Sequence, residues 1–373
     1  MRLALVLALL ALALGAGPAA AAPIMALQDD ALVNVRGPEL EARLDALAAT
    51  GVKVTRVDVL WGQVAPTRPR DARDPADPAY DWSRYDQIVR GLSARGIAII
   101  MDFYWTPPWA SATGARQAAP RPADGARFAG AIARRYSGAY PDPAGGTLPE
   151  VRRLEVWNEP NLPDFWRPQC RARGGKAVWV SPRAYAALLA ASYREIHAAN
   201  PRAEVIGGVV GPAGRSPTTC AKDGSGGVGS LDFARWVADQ GPPIDAWSLH
   251  LYPIGSPLQA FFVPSWSTIP RVIQQVDRLR RGAPIHVTET GYHTSYNRYH
   301  RYFVSEAQQA LWVDETFAAA ARYPRVQAVT WFNFQDNPFW TGGLLRGDGS
   351  RKPSYDRFAA VAAANPPPAG WAR

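Results

Sequence analysis

SRYDQIVRGLSARGIAIIM, residues 83–101, holds one helix–strand unit, and its reading sets the fold. The stretch 83–95 is amphipathic, with Ser83 placed to cap its start and Gly96 where a helix-ending glycine belongs. The next five residues, Ile97-Ala98-Ile99-Ile100-Met101, are apolar without a break. A strand covered on one face alternates polar and apolar residues; a parallel strand covered on both faces has no need to. Working outward, strands are expected near Ile24–Gln28, Val52–Val57, Ile97–Met101, Arg153–Trp157, Glu204–Gly208, Ala246–His250, Ile285–Thr288 and Ala328–Phe332. Helices are expected near 38–49, 83–95, 122–136, 182–199, 230–239, 268–280, 305–322 and 353–364. Ser181-Pro182 reads as a cap followed by a first-turn proline, and Asn200-Pro201 ends that helix. Eight strands alternating with eight helices is the count of a closed (β/α)8 TIM barrel, an α/β fold with a single catalytic domain. An open doubly wound sheet shares the alternation, but no glycine-rich nucleotide turn follows the first strand.

The barrel is expected to occupy residues 23–373. Ahead of it, Arg2 precedes an apolar run from Leu3 to Leu14, then small residues through Ala22. That is the pattern of a signal peptide, residues 1–22, cleaved near Ala21. The run is too short for a comfortable membrane span, so a secreted or periplasmic protein without stable membrane insertion is expected. With 47% hydrophobic and 20% charged residues, a sizeable core can form. Two cysteines exclude a disulfide-knit miniprotein and a Cys-based zinc module, and the five histidines lack metal-ligand spacing. Without Arg2, 40 Lys+Arg face 32 Asp+Glu. Arg is spread evenly and Lys is scarce, with no basic helix or block, so nucleic acid is not an expected partner; whether the charge selects an anionic polysaccharide stays open. A monomer is expected.

Long loops follow the fourth strand (Asn158–Val180), the fifth (Val209–Gly229), the seventh (Gly291–Val304) and the eighth. All lie on the strand C-terminal side, where such barrels build their sites. Two carboxylates stand there: Trp157-Asn158-Glu159-Pro160-Asn161 closes the fourth strand, and Thr288-Glu289-Thr290-Gly291 closes the seventh. Either glutamate alone would read as a surface or ion-pair residue. Two at matched strand ends face each other across one mouth, and such a pair flanking a glycosidic bond suffices for retaining hydrolysis. Glu155 reads as a barrel-interior carboxylate with an Arg partner, one layer too deep to reach substrate.

These motifs resemble those of the clan A (β/α)8 retaining glycoside hydrolases, most of all family 39 and related bacterial polysaccharide hydrolases, and more distantly family 5. The likeness runs from the second strand through the eighth. It implies a retaining β-glycosidase acting on a carbohydrate without a cofactor, with Glu159 as acid/base and Glu289 as nucleophile. Asn158 would bond the sugar 2-hydroxyl, and Arg56 in Thr55-Arg56-Val57-Asp58 would keep Glu289 ionised. His250 and Tyr252, in Leu249-His250-Leu251-Tyr252, match the sixth-strand pair, with the tyrosyl hydroxyl on the nucleophile. Trp331 matches the eighth-strand tryptophan that floors the sugar. The third-strand end, Met101-Asp102-Phe103-Tyr104-Trp105, departs from the His-rich family 5 pattern and weakens any transfer of cellulase specificity.

The 14 tryptophans suit an enzyme that stacks on sugar faces, and Trp105, Trp109, Trp166, Trp179, Trp266 and Trp340 fall in or near the site-side loops. Gln28, Asp29, Asp58, Asn333, Gln335 and Asp336 are strand-end candidates for sugar hydroxyls. Nothing in the sequence asks for a metal. Cys170 and Cys220 lie in loops after adjacent strands, and an exported chain permits their disulfide. A catalytically inactive carbohydrate-binding barrel and a transglycosylase are the competing functions.

Overall fold

The computed structural model describes residues 22–258, 276, 279, 282–297, 300–368, 370 and 371. The leader up to Ala21, Trp266 and the helix expected at 268–280, Val276 and Leu279 apart, lie outside the described residues. Eight parallel strands close a barrel: β1 (Ile24–Gln28), β2 (Val54–Leu60), β3 (Ala98–Tyr104), β4 (Arg153–Val156), β7 (Glu204–Val210), β8 (Ala246–Leu251), β9 (Ile285–Thr290) and β10 (Val326–Trp331). Their order around the barrel follows the chain, and β10 closes on β1 through pairs such as Ile24 with Ala328 and Leu27 with Trp331. Two further strands, β5 (Cys170–Arg173) and β6 (Lys176–Trp179), form an antiparallel hairpin within the stretch expected to be loop.

Alternation along each strand sorts the side chains into two cores. Ile24, Ala26, Val54, Ile100, Ile206, Ala246 and Ala328 fill the barrel interior. Met25, Leu27, Val57, Met101, Leu154, Val205, Trp247, Val287 and Val329 face outward and pack against the helices. Trp371 packs with the interior group, and the Arg153 guanidinium lies 3.4 Å from its ring centroid. No helix among the described residues is long and apolar enough to cross a membrane.

Two capping expectations are corrected. The helices begin at Ser83 and Ser181 themselves, so Trp82 and Val180 hold the cap positions. Ser181 Oγ instead donates to Gln169 Oε1 at 2.6 Å. Gly96 follows its helix at φ +66°, as a left-handed helix-ending glycine does. Cys170 and Cys220 form a disulfide with Cα atoms 5.8 Å apart, tying the hairpin to the loop after β7.

Candidate active site

Arg56 organises the mouth. It points inward from β2 and is fully buried, so its guanidinium needs partners on every side. Nε donates to Glu155 Oε2 at 2.6 Å, and Nη2 to Asp102 Oδ2 at 2.7 Å and Asn158 Oδ1 at 3.0 Å. Nη1 donates to Glu289 Oε1 at 2.8 Å and Gln28 Oε1 at 3.0 Å, and lies 3.2 Å from Asp58 Oδ1. Glu155 is the interior carboxylate with an Arg partner; Thr288 Oγ1 occupies its other oxygen at 2.8 Å. Both its oxygens are engaged below the mouth.

Glu159 leaves β4 through strained backbone: Trp157 has φ +75° and Glu159 φ +39°, values non-glycine residues rarely adopt. Asn161 holds this turn in place. Its Nδ2 donates to the carbonyls of Gly211 (3.0 Å), Ala213 (3.2 Å) and Val228 (3.0 Å), while Oδ1 accepts from Gly211 N at 2.8 Å. The motif's second asparagine therefore staples the neighbouring loop rather than facing the mouth.

Glu289 reaches the mouth by a β-bulge. Leu249 pairs with Val287 but His250 pairs with Glu289, so Thr288 is an extra residue in β9. Strict alternation after the inward Thr288 would turn Glu289 outward; the extra residue turns it back in. Tyr252 then donates to Glu289 Oε2 at 2.6 Å. His250 Nδ1 lies 2.9 Å from Glu159 Oε1 and 3.3 Å from Glu289 Oε2, bridging the two carboxylates. One oxygen from each glutamate and a nitrogen of His250 all lie within 4.8 Å of one another.

Burial pushes the Glu289 carboxyl above its ordinary range, and nearby Glu159 adds to this, while His250, Arg56 and the Tyr252 hydroxyl pull it down. Burial alone would lower His250, but Glu289 and the hydrogen bond from Glu159 outweigh it and raise the imidazole. The Tyr252 phenol is pushed well up by burial and then by Glu289, so it stays a hydrogen-bond donor.

Several expected contacts are elsewhere. Trp331 is fully buried in the outer layer, where its indole donates to Gly342 O at 3.1 Å and packs 6.2 Å from Tyr292. Inward parity on β10 runs through Ala328 and Thr330, so the ring at the mouth is Phe332, 6.5 Å from Tyr252 and 4.9 Å from Trp340. Trp166 is buried between Trp157 and Tyr185, at 5.3 and 6.1 Å. Trp109 anchors its loop through Ala65 O at 2.8 Å, with Arg68 4.8 Å over its ring. Asp336 is tied to Lys352 at 2.7 Å and to Gly343 N at 2.7 Å, and Asp29 and Gln335 are both held by Arg43. Asn333 Oδ1 accepts from the backbone of Asp30 and Phe334. Asp58 does border the site through Arg56, and Trp340 does so through Tyr252, 4.8 Å away.

Asp30, Asp102, Thr288 and Gly211 were not singled out from the sequence. For Asp102 the signal was there: a carboxylate in a continuously apolar strand must find a buried partner.

No family model matches the chain, and no curated protein matches it. Solved structures do. A family 39 glycoside hydrolase from the gut symbiont Bacteroides cellulosilyticus WH2 is similar at 22% identity and TM-score 0.60, covering 92% of this chain and 64% of that one. A GH39 beta-xylosidase from Caulobacter crescentus is similar at 22% identity and TM-score 0.61, covering 92% and 73%. GH5_18 from Streptomyces cattleya, in complex with GlcNAc, is similar at 16% identity and TM-score 0.64, covering 94% and 82%. At these identities the likeness is one of fold, the (β/α)8 barrel, and the chain spans 64% of the first of these proteins.

Proposed function

We propose that this chain is an exported, monomeric retaining β-glycosidase that cleaves an O-glycosidic bond in an oligo- or polysaccharide by double displacement. One observation carries the reading. Glu159 and Glu289, 130 positions apart in sequence, present carboxylate oxygens within 4.8 Å of each other at one mouth. Retaining enzymes hold the pair about 5–5.5 Å apart, whereas inverting enzymes need roughly 6.5–9.5 Å to admit a water.

The roles follow from what each carboxylate touches. Glu289 accepts from Arg56 on one oxygen and from Tyr252 on the other, an arrangement that favours the anion. It attacks the anomeric carbon as the bond to the leaving oxygen breaks. Glu159, with His250 as its hydrogen-bond partner, delivers its proton to that oxygen. It then takes a proton from water, which attacks the same carbon and releases Glu289. Asn158 turns Oδ1 to Arg56, leaving its amide nitrogen for a sugar hydroxyl. The leader-like sequence of residues 1–22 and the disulfide support export. The beta-xylosidase among the similar structures supports a β-linked substrate.

An activated 2-deoxy-2-fluoro β-glycoside tests this. The expected result is a covalent adduct on the peptide carrying Glu289, and retained β configuration in the first-formed product by NMR. An inverted product, or an adduct on another residue, overturns the reading.

A further inference from the structure

Charge around the mouth is lopsided. Asp30, just past β1, and Asp58, on β2, share one amide: Gln28 Nε2 donates to Asp30 Oδ1 at 3.0 Å and to Asp58 Oδ1 at 3.2 Å. Tyr104 donates its hydroxyl to Asp58 Oδ2 at 3.1 Å. Both aspartates are partly exposed. Behind them Asp102 is fully buried; its Oδ2 takes Arg56, but its Oδ1 has no hydrogen-bond partner and its carboxyl lies against that of Asp58. A buried oxygen without a donor is costly.

The cation supply does not match. Arg56 is shared among Asp58, Asp102, Glu155 and Glu289, and His250 stands beside Glu289 alone of the mouth carboxylates on this side. Among the described residues, the Asp30 carboxyl takes its hydrogen bond from the neutral Gln28 amide. The protein as a whole carries a formal +9, so this negative wall is local. Burial, then Asp58 and Glu289, push the Asp30 carboxyl well above its ordinary range, and Asp102 is raised by burial against the pull of Arg56.

We propose that the acidic wall of Asp30, Asp58 and Asp102 selects a sugar carrying a free amino group, making the substrate class of this site an unacetylated amino sugar in β linkage; this rests on the glycosidase reading above. An ammonium brings further positive charge and three N–H donors to a wall of acceptors. A uronate would set like charge against the wall, and an N-acetyl group would bring no charge at all. A bare metal ion fits less well. Among the described residues, the trio with ligand atoms close enough to hold one is Glu159, His250 and Glu289, not the three aspartates.

The test compares 4-nitrophenyl β-glycosides of glucosamine, glucose, N-acetylglucosamine and glucuronic acid on the exported protein. It adds calorimetry of glucosamine and glucose on the Glu159→Gln protein. The glucosaminide is expected to exceed the glucoside in kcat/KM by about tenfold, as one close charge pair allows. Asp30→Asn and Asp58→Asn should each narrow that ratio. A preference for the glucoside or glucuronide, or a ratio that both variants leave unchanged, overturns the inference while the glycosidase reading stands. If no glycoside is turned over but glucosamine still binds more tightly than glucose, the glycosidase reading fails and the amine selectivity stands.

Discussion

Gly211 makes room for Glu159. A Cβ at Gly211 would lie 2.6 Å from the Glu159 carboxyl carbon and 2.7 Å from Oε1, closer than real Cβ atoms come to anything. The same glycine takes both a donor and an acceptor from Asn161. The loop after β7 thus sets where the proposed acid can sit, although it contributes no side chain there.

Gly211→Ala is expected to push the Glu159 carboxyl off its position while leaving the fold intact. A displacement of about 1 Å at a reacting group costs on the order of a hundredfold in rate. That loss in kcat should appear with poor leaving groups and shrink with activated ones. An unchanged leaving-group dependence would separate Gly211 from the acid.

Glu159→Ala and Glu289→Ala should differ in kind. The first removes proton delivery, so it should slow poor leaving groups most and recover in part with azide. The second removes the attacking group and should abolish turnover whatever the leaving group. Steady-state kinetics on a series of aryl glycosides distinguishes them, and normal hydrolysis of activated substrates by Glu289→Ala would refute the assignment.

His250→Asn should move the acidic limb of kcat/KM to higher pH. Burial already raises the Glu289 carboxyl, and His250 is the strongest influence pulling it down. Without that positive neighbour the carboxyl stays protonated to higher pH, and a protonated carboxyl cannot attack. The pH–rate profile of the variant against wild type measures the shift; a limb that stays put or moves down contradicts it.

Trp331→Ala and Phe332→Ala should separate stability from binding. Trp331 is fully buried, and truncating such a side chain costs about 3–5 kcal/mol. Phe332 is half-buried at the mouth, so its truncation should raise KM with a smaller stability loss. Urea denaturation and saturation kinetics on both variants check this. A larger stability loss from Phe332→Ala would reverse their placement.

The sequence by itself determined the barrel, because strand and helix periodicities are local and each β/α unit repeats them. It also singled out Glu159 and Glu289 as the candidate pair, since each sits where an apolar strand ends in a chain-breaking motif. The tertiary structure alone decided which face each residue takes at the mouth. A register shift of one residue reverses a strand's faces, so Trp331 belongs to the outer layer and Phe332 to the mouth. The bulge at Thr288 turns Glu289 inward for the same reason. The gathering of Asp58, Asp102 and Glu289 around a single guanidinium depends on closure of the barrel. Closure brings β1, β2, β3 and β9 together across long sequence separations, and no local pattern encodes how many negative charges then share one positive charge.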